Sequence, residues 1–245
     1  MLKKNGQLLV DELVDEFQVT PQTIRTDLNE LAKAKKLHRV HGGARLIDGQ
    51  TNVKYEARRQ IAATQKVQIG KAAAAIIPDN TSLFINIGTT TEAFSDALIN
   101  HKDLMVITNN INVASRLRLN QNNEVIIAGG VVRSSDGGIV GEAAVDFIKN
   151  FKVDYAIIGS SAIDSDGALL DFDFREVKVA QAIIANARHV ILVADSTKLE
   201  RSAPVRIGHI SQVDTFVTDV IINKEFLQVC IDSEIEVIEV NSKEI

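Results

Sequence analysis

At 245 residues, 45% hydrophobic and 24% charged, the chain has the balance of a globular protein and more length than one average domain needs. A formal net charge of -5 excludes attraction to nucleic acid by bulk basicity, so any DNA affinity has to come from a local patch of Lys and Arg. The single cysteine, Cys230, excludes an internal disulfide framework and reads as a buried structural thiol in a reducing compartment. No apolar run approaches the roughly 20 residues of a membrane helix, and residues 1–9 lack a signal-peptide core, so a soluble, cytoplasmic protein is expected.

Residues 1–47 read as one domain. Leu9, Leu13, Val14 and Phe17 recur at helical spacing and predict a short amphipathic helix. After a break at Gln18-Val19, Thr20-Pro21 opens a second helix: Thr20 can cap the free amides, and Pro21 sits where no amide donor is needed. Ile24, Leu28 and Leu31 give that helix one apolar stripe, and Lys35-Lys36 suit its C-terminus. Leu37 to Val40 then alternates like a strand and Gly42-Gly43 turns the chain, which predicts a helix-turn-helix with a β-wing. The face of the second helix opposite its stripe carries Gln22, Thr23, Arg25 and Thr26, in the first turns, where a recognition helix meets base edges. Gln pairs with adenine and Arg bidentately with guanine. Between Thr20 and Arg45 there are six basic and two acidic residues, an excess of four positive charges in a negative chain. That asymmetry favours DNA binding over the plainer reading of a small helical subdomain with a solvated face.

Residues 48–66 are polar and read as a linker. A helix from Val67 runs to the stop at Pro78-Asp79-Asn80 and opens the second domain, 67–245. Short β-branched runs follow at Leu83–Ile87, Leu104–Ile107, Val125–Ala128, Tyr155–Ile158, Val190–Ala194, Thr215–Val217 and Glu236–Val240. Helical stretches such as Thr91–Ile99, Asn112–Leu119 and Glu176–Arg188 separate several of them. Alternating strands and helices predict an open, largely parallel α/β sheet covered on both faces.

Five of these strands run into polar motifs: Gly88-Thr89-Thr90-Thr91, Thr108-Asn109-Asn110, Gly129-Gly130 with Arg133 beyond, Gly159-Ser160-Ser161 with Asp164 beyond, and Asp195-Ser196-Thr197-Lys198. In an open α/β sheet the carboxyl edge is where ligands bind. Gly88 to Thr91 is the sharpest motif, because glycine allows close approach and hydroxyls with free helix-start amides ligate phosphate oxygens. A turn with an N-cap is the alternative for that motif alone; its convergence with Asn109, Gly129-Gly130 and Lys198 points to a phosphorylated ligand.

No catalytic residue, metal site or cofactor is inferred. His101, His189 and His209 are scattered without partners at ligand spacing, and Ser160-Ser161 lacks a Gly-x-Ser-x-Gly elbow. The acidic positions Asp164, Asp166, Asp171 and Asp173 read as a solvated loop with turn-forming Asp.

The stretch Val19-Thr20-Pro21-Gln22-Thr23-Ile24-Arg25-Thr26-Asp27-Leu28, with His38-Arg39-Val40-His41-Gly42-Gly43-Ala44, resembles the DeoR-type repressor family, and the likeness runs over nearly the whole chain. It implies a winged helix-turn-helix that binds double-stranded operator DNA through Thr20, Gln22, Thr23, Arg25 and Thr26, with Arg39 and His41 of the wing at the phosphates. It also implies a sensor domain similar to ribose-5-phosphate isomerase and coenzyme A transferases. In that domain Gly88, Thr89, Thr90 and Thr91 would hold a phosphate, with Asn109, Gly129, Gly130, Gly141 and Lys198 around it and Asp164 facing the ligand hydroxyls. The implied protein is a repressor of a carbohydrate or glycerol catabolic regulon, a homodimer or homotetramer, released by a phosphorylated metabolite with glycerol 3-phosphate foremost.

The sequence departs from the family's pattern in four places. Thr26 replaces a second Arg, Asn86 an Asp, and Ala180-Gln181 a Lys-Arg pair whose loss would remove a cation near the phosphate. The family also has a further helix ending near Gly6, without which the apolar face of the remaining helices would be unsupported. Two alternatives stay open. One is a sugar-phosphate isomerase-like enzyme, against which the Gly159–Asp164 stretch lacks paired acids. The other is a sensor whose DNA binding has decayed.

Overall fold

In the computed structural model, which describes residues 7–34, 37–40, 42–45 and 55–240, contacts divide the chain into two units, residues 1–61 and 62–245. In the first, strand β1 (Gln7–Leu9) runs straight into helix α1 (Val10–Phe17), and α2 (Pro21–Lys33) follows. The Thr20 hydroxyl accepts the Thr23 amide at 3.2 Å with Pro21 at the first helical position, so the cap read from the sequence is in place. Strands β2 (His38–Val40) and β3 (Gly43–Arg45) complete an antiparallel sheet in the order β1-β3-β2. Gly42 turns the wing at φ +76°, and a Cβ on Gly43 would lie 2.1 Å from the Leu8 carbonyl oxygen, so both positions demand glycine.

Leu8, Val10, Leu13, Ile24, Leu28, Leu37 and Ala44 form this unit's core. Strand β1 is absent from the sequence reading, and it shifts the buried face of α1: Val10 and Leu13 are buried, while Leu9 is the N-cap and Phe17 is 58% exposed. Leu31, 39% exposed, lies with Phe17 on an apolar cleft of about 320 Å³ that Leu8, Leu13, Ile24, Leu28 and Leu37 also line. The unit ends in α3 (Tyr55–Gln60), which places a helix inside the stretch read as linker.

The second unit opens with α4 (Ala63–Ala74), four residues earlier than read, then β4 (Ser82–Ile85), α5 (Thr89–Ala97), β5 (Met105–Thr108), α6 (Ile111–Leu117) and β6 (Glu124–Ile127). The hairpin β7 (Val131–Val132) and β8 (Ile139–Val140), α7 (Glu142–Ile148), β9 (Val153–Ile158), β10 (Ala162–Ile163) and β11 (Ala168–Asp171) follow. The chain continues through α8 (Phe174–Ala185), β12 (Ala187–Val193), β13 (Val205–His209), β14 (Thr215–Thr218), α9 (Lys224–Asp232) and β15 (Glu236–Glu239). Seven strands make an all-parallel sheet in the order β15-β14-β12-β9-β4-β5-β6.

Alternate strand residues feed two cores, one on each face. Leu83, Ile85, Val106, Ile157, Ile191 and Val217 pack with Ile69 and Ala73 of α4, Phe94 of α5 and Val113 of α6. Phe84, Ile107, Ile158, Leu192 and Phe216 pack with Ala144 of α7, Ile183 of α8 and Phe226 and Cys230 of α9. Burial pushes the Cys230 thiol up to about 11, which makes it inert packing material.

Helices α4 and α5 run in parallel from the carboxyl edge of the sheet. A Cβ on Gly70 would meet the Ala93 backbone at 2.7 Å, and further along His101 Nε2 lies 3.2 Å and 3.1 Å from the carbonyl oxygens of Ala74 and Ile77. A second small sheet, β10-β11-β13, is antiparallel and hangs beyond the carboxyl end of β9. No helix among the described residues is long and apolar enough to cross a membrane.

Candidate effector site and DNA-reading face

Gln22, Thr23, Arg25 and Thr26 are all exposed on α2, opposite the buried Ile24 and Leu28. They form one polar face with the exposed Thr20 at its start. Two hydroxyls on it are partly committed: Thr20 and Thr23 share a hydrogen bond at 2.9 Å, and Thr26 Oγ1 donates to the Gln22 carbonyl at 3.0 Å. Gln22 and Arg25 therefore carry the uncommitted side-chain hydrogen-bonding capacity of this face among the described residues. On the wing, Arg39 Nη1 donates to the Gly43 carbonyl at 2.9 Å, which fixes the guanidinium at the β-turn. His41 lies outside the described residues, as do Lys35 and Lys36.

In the second unit the carboxyl ends of β4, β9 and β12 converge. A Cβ on Gly159 would lie 3.8 Å from the Val193 carbonyl oxygen and 3.9 Å from both the Ile87 carbonyl oxygen and the Thr91 methyl. The Gly88–Thr91 loop, Gly159-Ser160 and the start of the Ser196–Glu200 turn thus share one ledge. Gly88 caps α5, so the amides of its first turn open onto that ledge. Thr91 is fully buried and its hydroxyl donates to the carbonyls of Asn86 and Gly88, both at 2.8 Å. It shapes the loop from within, and no hydrogen bond of the Thr89 or Thr90 hydroxyl is found among the described residues. Asn86, where the family pattern has Asp, accepts the Ile87 amide at 2.7 Å and is structural too.

At the end of β12 lies Asp195, 1% exposed. Lys66 Nζ stands 4.0 Å from its Oδ2, and Lys198 is buried beside it. Burial raises the Asp195 carboxyl, but Lys198, Lys66 and the Thr197 hydroxyl and amide together hold it below its ordinary value, so it is ionised. Ser160 Oγ and Asp195 Oδ2 are buried here without a hydrogen-bond partner among the described residues.

Other expected ligand contacts lie at the ends of the neighbouring strands. Asn109 donates through Nδ2 to the Ile139 carbonyl at 3.1 Å and belongs to a second cluster with the hairpin after β6. Gly130 packs there against Ile139 and Val140, and Gly141 caps α7. Strands stand about 4.8 Å apart, so β6 is two spacings, roughly 10 Å, from β4, and the hairpin after β6 comes back to it: a Cβ on Gly138 would lie 2.4 Å from Ile87 Cδ1.

Asp164 sits in the β10–β11 turn, whose Gly167 packs against His209, Ile210 and Val229, while β10 itself packs on the Ser196–Glu200 turn. Nor are the acidic positions near it one solvated loop. Asp171 is buried and accepts the Ser161 hydroxyl at 2.9 Å, while Asp173 caps α8 through the Arg175 amide at 3.0 Å. Arg133 is spent on Asp136, Asp173 and Glu176 at 2.7, 3.2 and 2.6 Å. Burial lowers that guanidinium, but Asp136 and Glu176 more than offset it and hold it above its ordinary value.

The Ala180-Gln181 substitution does not touch the ledge. Ala180 is 1% exposed in the core, and Gln181 donates to the Ile207 carbonyl of β13 at 3.0 Å. Lys66 is the cation that the sequence reading missed. The available signal was a charge on the apolar stripe of a helix, one turn before Ile69, Gly70 and Ala73.

Comparison with known proteins adds sequence relationships to this geometry. Residues 1–50 match the model of the DeoR-like helix-turn-helix domain, and residues 61–220 that of the DeoR C terminal sensor domain. The chain is 46% identical over 236 residues to the glycerol-3-phosphate regulon repressor of Escherichia coli (strain K12), covering 96% of this chain and 94% of that one. Among solved structures, eIF2B beta from Chaetomium thermophilum matches 73% of this chain and 56% of its own with a TM-score of 0.50 at 16% identity. Ribose 5-phosphate isomerase A from Methanocaldococcus jannaschii matches 56% and 55% with a TM-score of 0.43 at 14% identity.

Proposed function

The chain belongs to the DeoR family of transcriptional regulators, and from that footing we propose that it leaves its operator when a phosphorylated metabolite, glycerol 3-phosphate first, occupies the carboxyl edge of its sensor sheet. It is a DNA-binding repressor of a regulon rather than an enzyme. The observation that carries the effector reading is the convergence of the Gly88–Thr90 amides and hydroxyls with the ends of β9 and β12 around buried lysines. A helix start offers amides and a positive dipole end, and ammonium groups supply the countercharge that a phosphate needs. The glycerol 3-phosphate choice rests on the name of the 46% identical relative.

On the DNA side, Gln22 and Arg25 read bases in the major groove, with Thr20, Thr23 and Thr26 along the helix. Arg39 and His41 of the wing meet the phosphates. One short recognition helix reads few bases, so the repressor acts as a homodimer or homotetramer on paired half-sites about 10 base pairs apart.

Sedimentation of the full chain with a labelled operator tests both parts together. Complexes should hold two or four copies per operator, and glycerol 3-phosphate should dissociate them while glycerol does not. A monomer bound singly would overturn the assembly. Complexes unmoved by glycerol 3-phosphate and a panel of sugar phosphates at millimolar concentration would overturn the effector class.

A further inference from the structure

Lys66 is 3% exposed although it carries a charge, and it stands on the face of α4 that also presents Ile69 and Ala73 to the core. A buried ammonium is costly unless an anion faces it. One anion that faces it is Asp195, whose Oδ2 lies 4.0 Å away and accepts no hydrogen bond among the described residues. The parallel register of α4 and α5 fixes the other neighbour. Gly70 packs on Ala93, so one turn back on each helix brings Lys66 level with Thr89. Lys66 therefore stands between the Gly88–Thr90 loop and the end of β12, where Lys198 also lies beside Asp195.

Resting on the effector reading above, we propose that Lys66 is a second cation of the effector site and determines its specificity for a phosphate monoester dianion. With the ligand bound, the phosphate takes over from Asp195 as the partner of Lys66. A monoester presents three terminal oxygens and nearly two negative charges, enough to engage Lys66, Lys198 and the loop amides together. A diester carries one charge and one substituted oxygen, and it leaves one lysine to Asp195. Specificity then resides in the charge count at the ledge as well as in its shape.

The test uses the full-length protein with glycerol 3-phosphate and its methyl phosphodiester as probes, at one neutral pH, by calorimetric titration. Wild type should prefer the monoester. Lys66→Met should weaken monoester binding roughly tenfold or more, the fold-change of one charge-assisted hydrogen bond, while diester binding changes little. Monoester preference should collapse in Lys66→Met and return in Lys66→Arg. Lys66→Gln is made alongside, so that a folded neutral variant is available should the Met variant not fold. If the neutral variants lose both probes equally and Lys66→Arg restores neither, Lys66 is a packing residue and the proposal fails. It fails equally if they bind the monoester as wild type does, with the effector reading intact. Wild type that binds neither probe overturns the effector reading itself, and this proposal with it.

Discussion

The polar side chains named from the sequence divide into those that keep free capacity and those that the fold consumes. Thr26, Thr91 and Asn86 each form a hydrogen bond to nearby backbone, a local geometry that residue identity does not announce. Asp164 follows a two-residue strand that turns the chain off the main sheet, and such a strand has no periodicity to read. Arg25 keeps its capacity, being exposed on α2 opposite the buried Ile24 and Leu28. Arg25→Ala should weaken operator binding by about 1–3 kcal/mol and relax the preference at one base pair, as expected for the loss of a bidentate contact. Measured by fluorescence anisotropy across operator variants, an unchanged affinity and base preference would remove α2 from its role as the reading helix.

At the scale of elements, the long β-branched runs were legible because a strand buried on both faces is apolar at successive positions. All seven strands of the parallel sheet lie within a few residues of where the sequence puts them. What escaped was short and antiparallel: β1, β7, β8, β10, β11 and β13, held by pairing with neighbours rather than by their own pattern. The start of α8 shows how such pieces are fastened. Asp173 caps it, and a hydrogen bond from Arg175 holds the carboxyl down at about 2, below its ordinary 3.8. A carboxyl depressed in the folded state stabilises above its unfolded pKa and loses that contribution as pH falls through the folded one. Asp173→Ala should therefore cost about 1 kcal/mol at pH 7, the usual worth of an N-cap. The cost should shrink between about pH 4 and pH 2 in urea denaturation. A cost that stays constant down to pH 2 would assign the effect to packing rather than to charge.

For the molecule as a whole, the question is how occupancy of the sensor ledge reaches the DNA-reading face. A ligand shifts an equilibrium only by its differential affinity for the two states, so the proposed effector has to bind the DNA-released form more tightly. The chain offers a direct covalent route. Lys66 is in the first turn of α4, its amide donates to the Ala62 carbonyl at 2.9 Å, and Ala62 is a non-glycine residue at φ 52° where the second unit begins. A left-handed alanine costs about 1–2 kcal/mol, a strain comparable with the coupling that release requires. A coupling of about 1–3 kcal/mol weakens operator binding roughly 5- to 150-fold. Thr89 and Thr90 are the loop hydroxyls that the proposed phosphate site uses, whereas Thr91 is consumed by backbone carbonyls. The double variant Thr89→Ala with Thr90→Ala should accordingly bind the operator like wild type and fail to release it on adding glycerol 3-phosphate, giving a repressor that cannot be induced. Thr91→Ala should instead lower the melting temperature of the ligand-free protein, because it removes the hydroxyl whose one proton the Asn86 and Gly88 carbonyls share. Release of the double variant at the wild-type ligand concentration would put the phosphate elsewhere than the Gly88–Thr90 loop.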